Sequence, residues 1–396
     1  MSYYAWQRLK KNKLAIVGLV FVVFSTLIAV FGALIRPDST PMANEMLLQL
    51  TTKEPGFSSK VILIRKNKPS ERVYFYQKMF FGGEENDYTI IPINKFWFEK
   101  EEVVVEKFDD SGLKGQVISF NIADAIYPID LAEKNSIRRV ENNSLEINLI
   151  GGEKILKTVS ELQNEIVEKN IRNQTFLLGT DRFGRDMMSR LMAGTLVSLS
   201  VGFISVLISI FIGIFIGALG GFFRGKLDDI IVWLINVVWA IPTLLLVIAI
   251  TLVLGKGFWQ VFIAVGLTMW VEVARVVRGQ ILGIREKEFI EAGRALGFND
   301  FRLIFRHVLP NVMGPVIVIS AANFASAILI EAGLSFLGIG AQPPMASWGT
   351  MIRDHYGYII TGKAYLAAFP GLAIMFMVLA FMLVGNGLRD ALDSKL

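Results

Sequence analysis

The chain has 396 residues, 53% hydrophobic and only 19% charged, with a mean hydropathy of +0.50 and a formal net charge of +5. Soluble domains carry nearer a quarter charged residues and no long apolar runs, so this clustering excludes an ordinary soluble fold. With no cysteine there is no disulfide, thiolate metal site or cysteine nucleophile, and His307 and His355 are too few and too far apart for a metal centre.

The first apolar run, residues 14–35, is about 22 residues long, enough to cross about 30 Å of hydrocarbon. Arg8, Lys10, Lys11 and Lys13 precede it. A cleaved signal peptide also starts basic, but its apolar core is about 7–15 residues long and ends at a small-residue cleavage site. No such site follows Ile35. The run is therefore read as an uncleaved anchor with its N-terminus inside.

Residues 36–175 change character. Short β-like stretches (Val61 to Ile64, Val73 to Tyr76, Val103 to Val105) alternate with turn signals at Gly82-Gly83, Asp110-Ser111-Gly112 and Gly151-Gly152. Residues 160–169 read as a short amphipathic helix. None of these runs spans a membrane, and about 140 residues suffice for a small core. The segment is expected to be an inserted extracytoplasmic domain, α+β or β-rich.

Spans are then expected at about 191–223, 230–254, 258–277, 312–330 and 365–388. The first of these must tilt or begin outside the hydrocarbon, and Pro242 should kink the second. The fold class is thus an all-α polytopic membrane protein of about six transmembrane helices. Six crossings return the C-terminus inside. The positive residues then fall inside as well: Arg224 and Lys226, then Arg275, Arg278, Arg285, Lys287, Arg294, Arg302 and Arg306. The outside turn at 255–257 carries only Lys256. Gly213 and Gly217 form a G-x-x-x-G, read as close helix packing or as part of a gate. Ionisable residues are scarce in the spans: Glu272 and Arg275 near a cytoplasmic end, Glu331 near an outer end. That scarcity argues against an ion-coupled transporter.

Residues 278–310 are long for a loop in a compact bundle. Phe289, Ile290, Ala292, Ala295 and Leu296 have helical spacing, Gly297 suits a helix end, and Asn299 or Asp300 can cap a second helix running toward Leu309-Pro310. The shape is helix, sharp turn, helix along the cytoplasmic face. An ordinary interfacial segment has the same pattern.

Glu291-Ala292, Gly297 and then His307-x-Leu309-Pro310 resemble the E-A-A-x-x-x-G…I-x-L-P loop of ABC importer permeases. The match departs where Gly293 replaces the second alanine, costing about 1 kcal/mol of helix propensity, and where Val308 precedes Leu309. The run from Leu178 through Thr180-Asp181-Arg182, Gly184-Arg185-Asp186 and Ser189-Arg190 is similar to the G-T-D-x-x-G-R-D-x-x-S-R segment of dipeptide and oligopeptide permeases. So is the run from Glu331 to Gly340, followed by Pro343-Pro344 and Ser347-Trp348-Gly349. The start, with Trp6, Arg8 and Asn12 to Ala15, resembles the C-type subunit of the dipeptide, oligopeptide and nickel importers.

The resemblance covers residues 1–35 and 176–396. It implies a permease subunit of an ATP-driven, binding-protein-dependent importer, with peptides as cargo. It implies no enzyme and no cofactor in this chain, since partner ATPases use ATP and Mg. The implied partners are a second homologous permease, cytoplasmic ABC ATPases, an extracytoplasmic binding protein and the membrane, with no nucleic acid. The implied location is a bacterial inner membrane with both termini cytoplasmic. The ATPase-coupling residues carried over are Glu291, Ala292, Arg294, Gly297, His307, Leu309 and Pro310 in the loop 278–310. Asp181, Arg182, Arg185, Asp186 and Glu331 are candidates for an outer gate or docking surface, with interfacial salt bridging as the plainer reading. Trp348, Tyr356 and Tyr358 fit an interfacial aromatic belt. A membrane sensor with an outer ligand domain is the alternative. No H-E-x-x-H, G-x-S-x-G or nucleotide-binding G-x-x-x-x-G-K-[ST] is present.

Overall fold

The computed structural model describes residues 3–69, 74–80, 83–110, 114–130, 136–140, 143–255 and 257–392. The chain divides into two compact units. One holds residues 1–29, 194–359 and 367–396, and the other residues 30–193 and 360–366.

In the first unit, Asn12 separates the short helix Tyr3–Lys11 from the apolar helix Lys13–Ile35 and caps the latter, its Oδ1 accepting the Ala15 N–H at 3.1 Å. Among the described residues, five helices are long and apolar enough to cross a membrane: Lys13–Ile35, Met187–Phe223, Phe258–Ile284, Asp300–Phe336 and Tyr365–Leu392. The expected span at 230–254 is not one kinked helix. Gly225–Ala240 and Thr243–Leu254 meet at a 92° bend. The break falls at Pro242, which has no N–H to donate and drives Ile241 into extended backbone (ψ 128°). Each half is too short to cross about 30 Å at 1.5 Å per residue, so the crossings number five, or six if the bent pair counts as one.

Met187–Phe223 has 37 residues, about 55 Å, which exceeds the hydrocarbon thickness. Its glycines mark a close helix approach. A Cβ on Gly213 would lie 2.5 Å from Val273 Cβ, and one on Gly217 would lie 2.6 Å from the Ala274 carbonyl oxygen. The G-x-x-x-G is therefore a packing seam against Phe258–Ile284. That helix runs seven residues past the expected end, because Arg278 finds a bidentate partner in Asp228 (2.5 and 2.7 Å). Glu272, expected near a cytoplasmic end, thus sits close to the middle of its helix.

In the second unit, eight strands among the described residues form two antiparallel sheets: β1 Phe57–Arg65, β2 Tyr88–Glu99, β3 Glu102–Lys107, β4 Val117–Asn121, β5 Ile137–Val140, β6 Ser144–Asn148, β7 Lys154–Thr158 and β8 Ile171–Phe176. The five-stranded sheet has the order β4-β3-β2-β1-β8, and β5-β6-β7 form a meander. One face of β1 (Ile62, Ile64) packs with Val103 and Val105 on Ile122, Leu145, Ile147 and Leu162. Strict alternation makes this possible, since successive residues face opposite sides. Thr158 and Glu161 form a capping box that starts the helix Val159–Glu165. A π-turn at Ile166–Asn170 completes the helical stretch expected at 160–169. Phe57 pairs with Phe176, so the sheet region leaves and rejoins the chain at adjacent points.

Val61 to Ile64 and Val103 to Val105 are strands, and Gly151 and Gly152 turn with φ of 105° and 82°. The expected strand at Val73 to Tyr76 is corrected: Phe75–Phe80 is a helix. Phe75 and Tyr76 are exposed rather than set against a sheet, and Gln77 Oε1 accepts the Tyr74 N–H at 3.0 Å, closing a helical turn. Val73, Gly82, Ser111, Gly112 and Lys256 lie outside the described residues.

Candidate functional site

The loop after Ile284 folds as a helix, a turn and a second helix. Glu288–Ala295 ends on Gly297, whose φ of +77° is the left-handed conformation glycine adopts without strain. The Phe298 N–H reaches the Gly293 carbonyl at 3.0 Å and the Gly297 N–H reaches the Arg294 carbonyl at 2.9 Å, which satisfies the helix end. Asn299 then caps the next helix, accepting the Arg302 N–H at 2.8 Å. The second helix passes through a π-turn at Leu303–Val308 directly into the span ending at Phe336.

Two inward residues fix this pair. Ile290 is fully buried with Leu303, Ile304 and Val308. Gly293 faces Leu303, and a Cβ there would lie 2.8 Å from Leu303 Cδ2. The departure from alanine at Gly293 thus has a packing reason. Phe298 stacks on His307 (centroids 5.7 Å, 16°) and carries the Arg302 guanidinium 4.0 Å above its ring.

The outward face of the pair stands open among the described residues. Glu291, Ala292, Arg294 and Gly297 are exposed, as is Pro310; His307 and Leu309 are half-buried. The apolar spacing seen in the sequence does not all turn inward: Phe289, Ala292, Ala295 and Leu296 join Phe301 and Phe305 at the surface. Leu296 is 73% and Phe301 69% exposed, far beyond an ordinary helix edge. Phe298 and the stacked Arg302 are not among the sequence-predicted site residues; an aromatic directly after the helix-ending glycine is the available signal.

In the second unit, the segment 178–190 is an ionic knot with little exposed charge. Asp181 Oδ2 takes the Arg185 Nε at 2.6 Å, while its Oδ1 accepts the N–H groups of Phe183 and Arg185 at 2.8 and 3.0 Å. Arg185 also reaches Asn44 Oδ1 at 3.0 Å. Gly184 has φ +72°, and the Leu47 carbonyl lies where a Cβ would stand, so both the backbone conformation and the close approach require glycine. Asp186 caps the long helix through Ser189, with Oδ2 at 2.7 Å from the backbone nitrogen and 2.5 Å from the Oγ. Burial pushes the Asp186 carboxyl up, against these hydrogen bonds, and Asp38 and Asp181 add to the rise. Asp181, Arg185 and Asp186 are all buried, and only Arg182 is exposed, its guanidinium over the Phe183 ring.

Glu331 belongs to the other unit. It is buried and receives the hydroxyls of Ser335 at 2.7 Å and Ser198 at 3.4 Å. Trp348 is not a belt residue: it is buried, and Gly194 lacks the Cβ that would lie 2.7 Å from its Cδ1. Tyr356 is exposed. A small cavity at the bent pair is lined by Trp239, Thr243, Thr268, Glu272 and Ser326, with Arg275 stacked 3.6 Å over Trp239.

The arrangement is that of a polytopic helical membrane protein carrying an exposed helix–turn–helix rigidly continuous with one span. Residues 209–396 match the family described as binding-protein-dependent transport system inner membrane component. Residues 2–49 match the N-terminal TM domain of oligopeptide transport permease C. The glutathione transport system permease protein GsiD of Pectobacterium atrosepticum is 42% identical over 219 residues, 55% of this chain and 72% of that one. The oligopeptide transport system permease protein OppC of Bacillus subtilis is 39% identical over 218 residues, 55% and 71% of the two chains. The dipeptide transport system permease protein DppC of Bacillus subtilis is 38% identical over 238 residues, 60% and 74%. The chain belongs to the family of binding-protein-dependent transport system inner membrane components, the C-type permeases of ABC importers. It is a multi-pass membrane permease rather than an enzyme. Neither matched segment includes residues 50–208, the stretch containing both sheets.

Proposed function

We propose that this chain imports peptides as one of two permeases in the inner membrane of a bacterium, driven by cytoplasmic ATPases that use ATP and Mg. It crosses six times, with the bent pair as one broken span and both termini inside, and it receives cargo from an extracytoplasmic binding protein. Peptide cargo is the common ground of the oligopeptide and dipeptide permeases it resembles.

The observation that carries the coupling role is the exposed helix–turn–helix pinned at Ile290 and Leu303 and continuous with a span. Glu291, Ala292, Arg294 and Gly297 face the ATPase, and His307, Leu309 and Pro310 join the docked helix to the membrane. ATPase motion biases the bundle between two openings through this joint. Asp181, Arg185 and Asp186 act as internal braces within the second unit, with Arg182 as the accessible member for docking and Glu331 as a buried acceptor within the first unit. The test is reconstitution with co-purified ATPases, measuring peptide uptake against ATP hydrolysis for Glu291→Lys. Loss of uptake with hydrolysis retained supports the coupling assignment; normal uptake overturns it.

A further inference from the structure

The short helix Tyr3–Lys11 lies outside the candidate site, within the first unit. In an unbroken helix, residues 9 and 15 would stand about 9 Å apart along the axis and on different sides. Here both meet one point on Tyr365–Leu392: a Cβ built on Gly387 would lie 3.1 Å from Leu9 Cδ1 and would collide with Ala15 Cβ. The chain therefore turns at Asn12, and the short helix folds over the end of Tyr365–Leu392, with Leu9 packed on Ala15, Leu388 and Ala391. The helix Lys13–Ile35, about 34 Å long, takes up the hydrocarbon thickness by itself. The folded-over helix is thereby held at the depth of the lipid headgroups.

Ala5 and Leu9, one turn apart, are buried and define the inward face. Tyr4, Trp6, Gln7, Arg8, Lys10 and Lys11 are exposed on the remaining arc, and Lys13 is exposed just beyond it. Four basic residues thus fall within positions 8–13, while residues 1–37 contain no acid. Among the described residues, Lys11 and Lys13 have no ion-pair partner, and Lys10 has only the Trp6 ring, 5.3 Å from its centroid. Beside Leu388, the end of Tyr365–Leu392 carries Arg389 and Asp390, both exposed, whose charges offset each other. Tyrosine and tryptophan rings favour the headgroup layer, and lysine stems cover apolar surface while their ammonium ends stay in the polar layer.

We propose that the exposed arc of Tyr3–Lys11 is a docking surface for anionic phospholipid headgroups, whose phosphate oxygens accept from the ammonium groups of Lys10, Lys11 and Lys13 while Tyr4 and Trp6 seat between the lipids. A zwitterionic headgroup carries the same phosphate but cancels its charge with its own ammonium, so an anionic lipid is the better match for uncompensated lysines. Each basic side chain near an anionic membrane surface is worth about fivefold in binding. An acidic face on a partner protein would offer the same charge, but the fold-back at Asn12 and the exposed rings favour the lipid surface. The proposal does not rest on peptide import or on ATPase coupling.

The chain has no cysteine, so Gln7→Cys carries a single fluorophore, opposite the inward face of the helix. The labelled full-length chain in phosphatidylcholine nanodiscs is titrated with phosphatidylglycerol or phosphatidylcholine bearing a nitroxide quencher at the top of one acyl chain. At low salt, phosphatidylglycerol should reach half-quenching at a mole fraction at least about tenfold lower than phosphatidylcholine. About 1 M salt should shrink that preference, because it screens charge within about 3 Å. Lys10→Gln with Lys11→Gln should lose at least about fivefold of the preference, and Lys10→Arg with Lys11→Arg should keep it. Unchanged thermal unfolding of both double variants accompanies these shifts. Equal quenching by the two lipids, quenching by neither, or an unchanged preference in the glutamine variant overturns the proposal. Shielding of the fluorophore by co-purified ATPases in phosphatidylcholine discs, with no response to phosphatidylglycerol, assigns the surface to a protein partner and overturns it equally.

Discussion

Replacing Gly297 with valine isolates the backbone contribution to the turn of the exposed helix pair. A Cβ built at Gly297 meets nothing within 4 Å, so no collision contributes. What remains is the φ of +77°, which costs an L-residue about 1–2 kcal/mol. A β-branched residue lies at the upper end of that range. About 2 kcal/mol disfavours the observed turn by a factor of about 30 relative to other loop conformations. Asparagine tolerates the left-handed region, so Gly297→Asn costs well under about 1 kcal/mol. The assay is uptake per ATP hydrolysed in proteoliposomes containing the permease with its co-purified partners. Gly297→Val should lower that ratio about tenfold at unchanged membrane insertion, and Gly297→Asn should leave it near wild type. Equal behaviour of the valine and asparagine variants would refute the reasoning, because only the valine opposes the backbone conformation.

Four further outcomes follow from the same geometry. Burial pushes Glu165 up, but hydrogen bonds from Lys157, Lys169 and Tyr127 outweigh it and hold the carboxyl at about 2. Its folded value lies below the unfolded one, so its stabilisation, about 1–2 kcal/mol after solvent screening of the exposed lysines, is present above about pH 4.5 and lost as pH falls toward 2. Denaturation of Glu165→Gln should show a deficit at pH 7 that shrinks by pH 3; a constant deficit refutes the ionic account. Gly213→Val should lower the unfolding temperature and cost about 2–3 kcal/mol, because its Cβ would stand 2.5 Å from Val273 Cβ; detergent thermal shift measures this. Arg278→Ala leaves Asp228 without its bidentate partner and should cost about 1–3 kcal/mol in the same assay. Excising residues 58–175 with a short turn joining Phe57 to Phe176 should preserve membrane insertion and partner co-purification, because these two residues pair directly. Loss of the chain from the membrane would count against that reading.

Elements with a strong local signal were legible. Long apolar runs, a basic flank and the order of E-A, G and L-P in residues 291–310 place helices and the family without any tertiary information. Val61 to Ile64 and Val103 to Val105 read as strands because β-branched residues declare themselves locally. Val73 to Tyr76 misled for the complementary reason. Aromatic content favours a strand only where a sheet face receives the rings, and Tyr74, Phe75 and Tyr76 stay exposed.

The sequence by itself determined a polytopic permease with a β-containing region and a glycine-terminated helix pair, since hydropathy and positive-φ chemistry act over a few residues. Only tertiary structure decided which charges are surface and which are struts. Asp181, Arg185 and Asp186 look like an ionic surface in one dimension, yet Asn44, Leu47 and Ser189 enclose them. Tertiary structure alone also set Leu9 on the end of Tyr365–Leu392 and so left Lys10 and Lys11 on the exposed arc, because burial depends on residues distant in the chain.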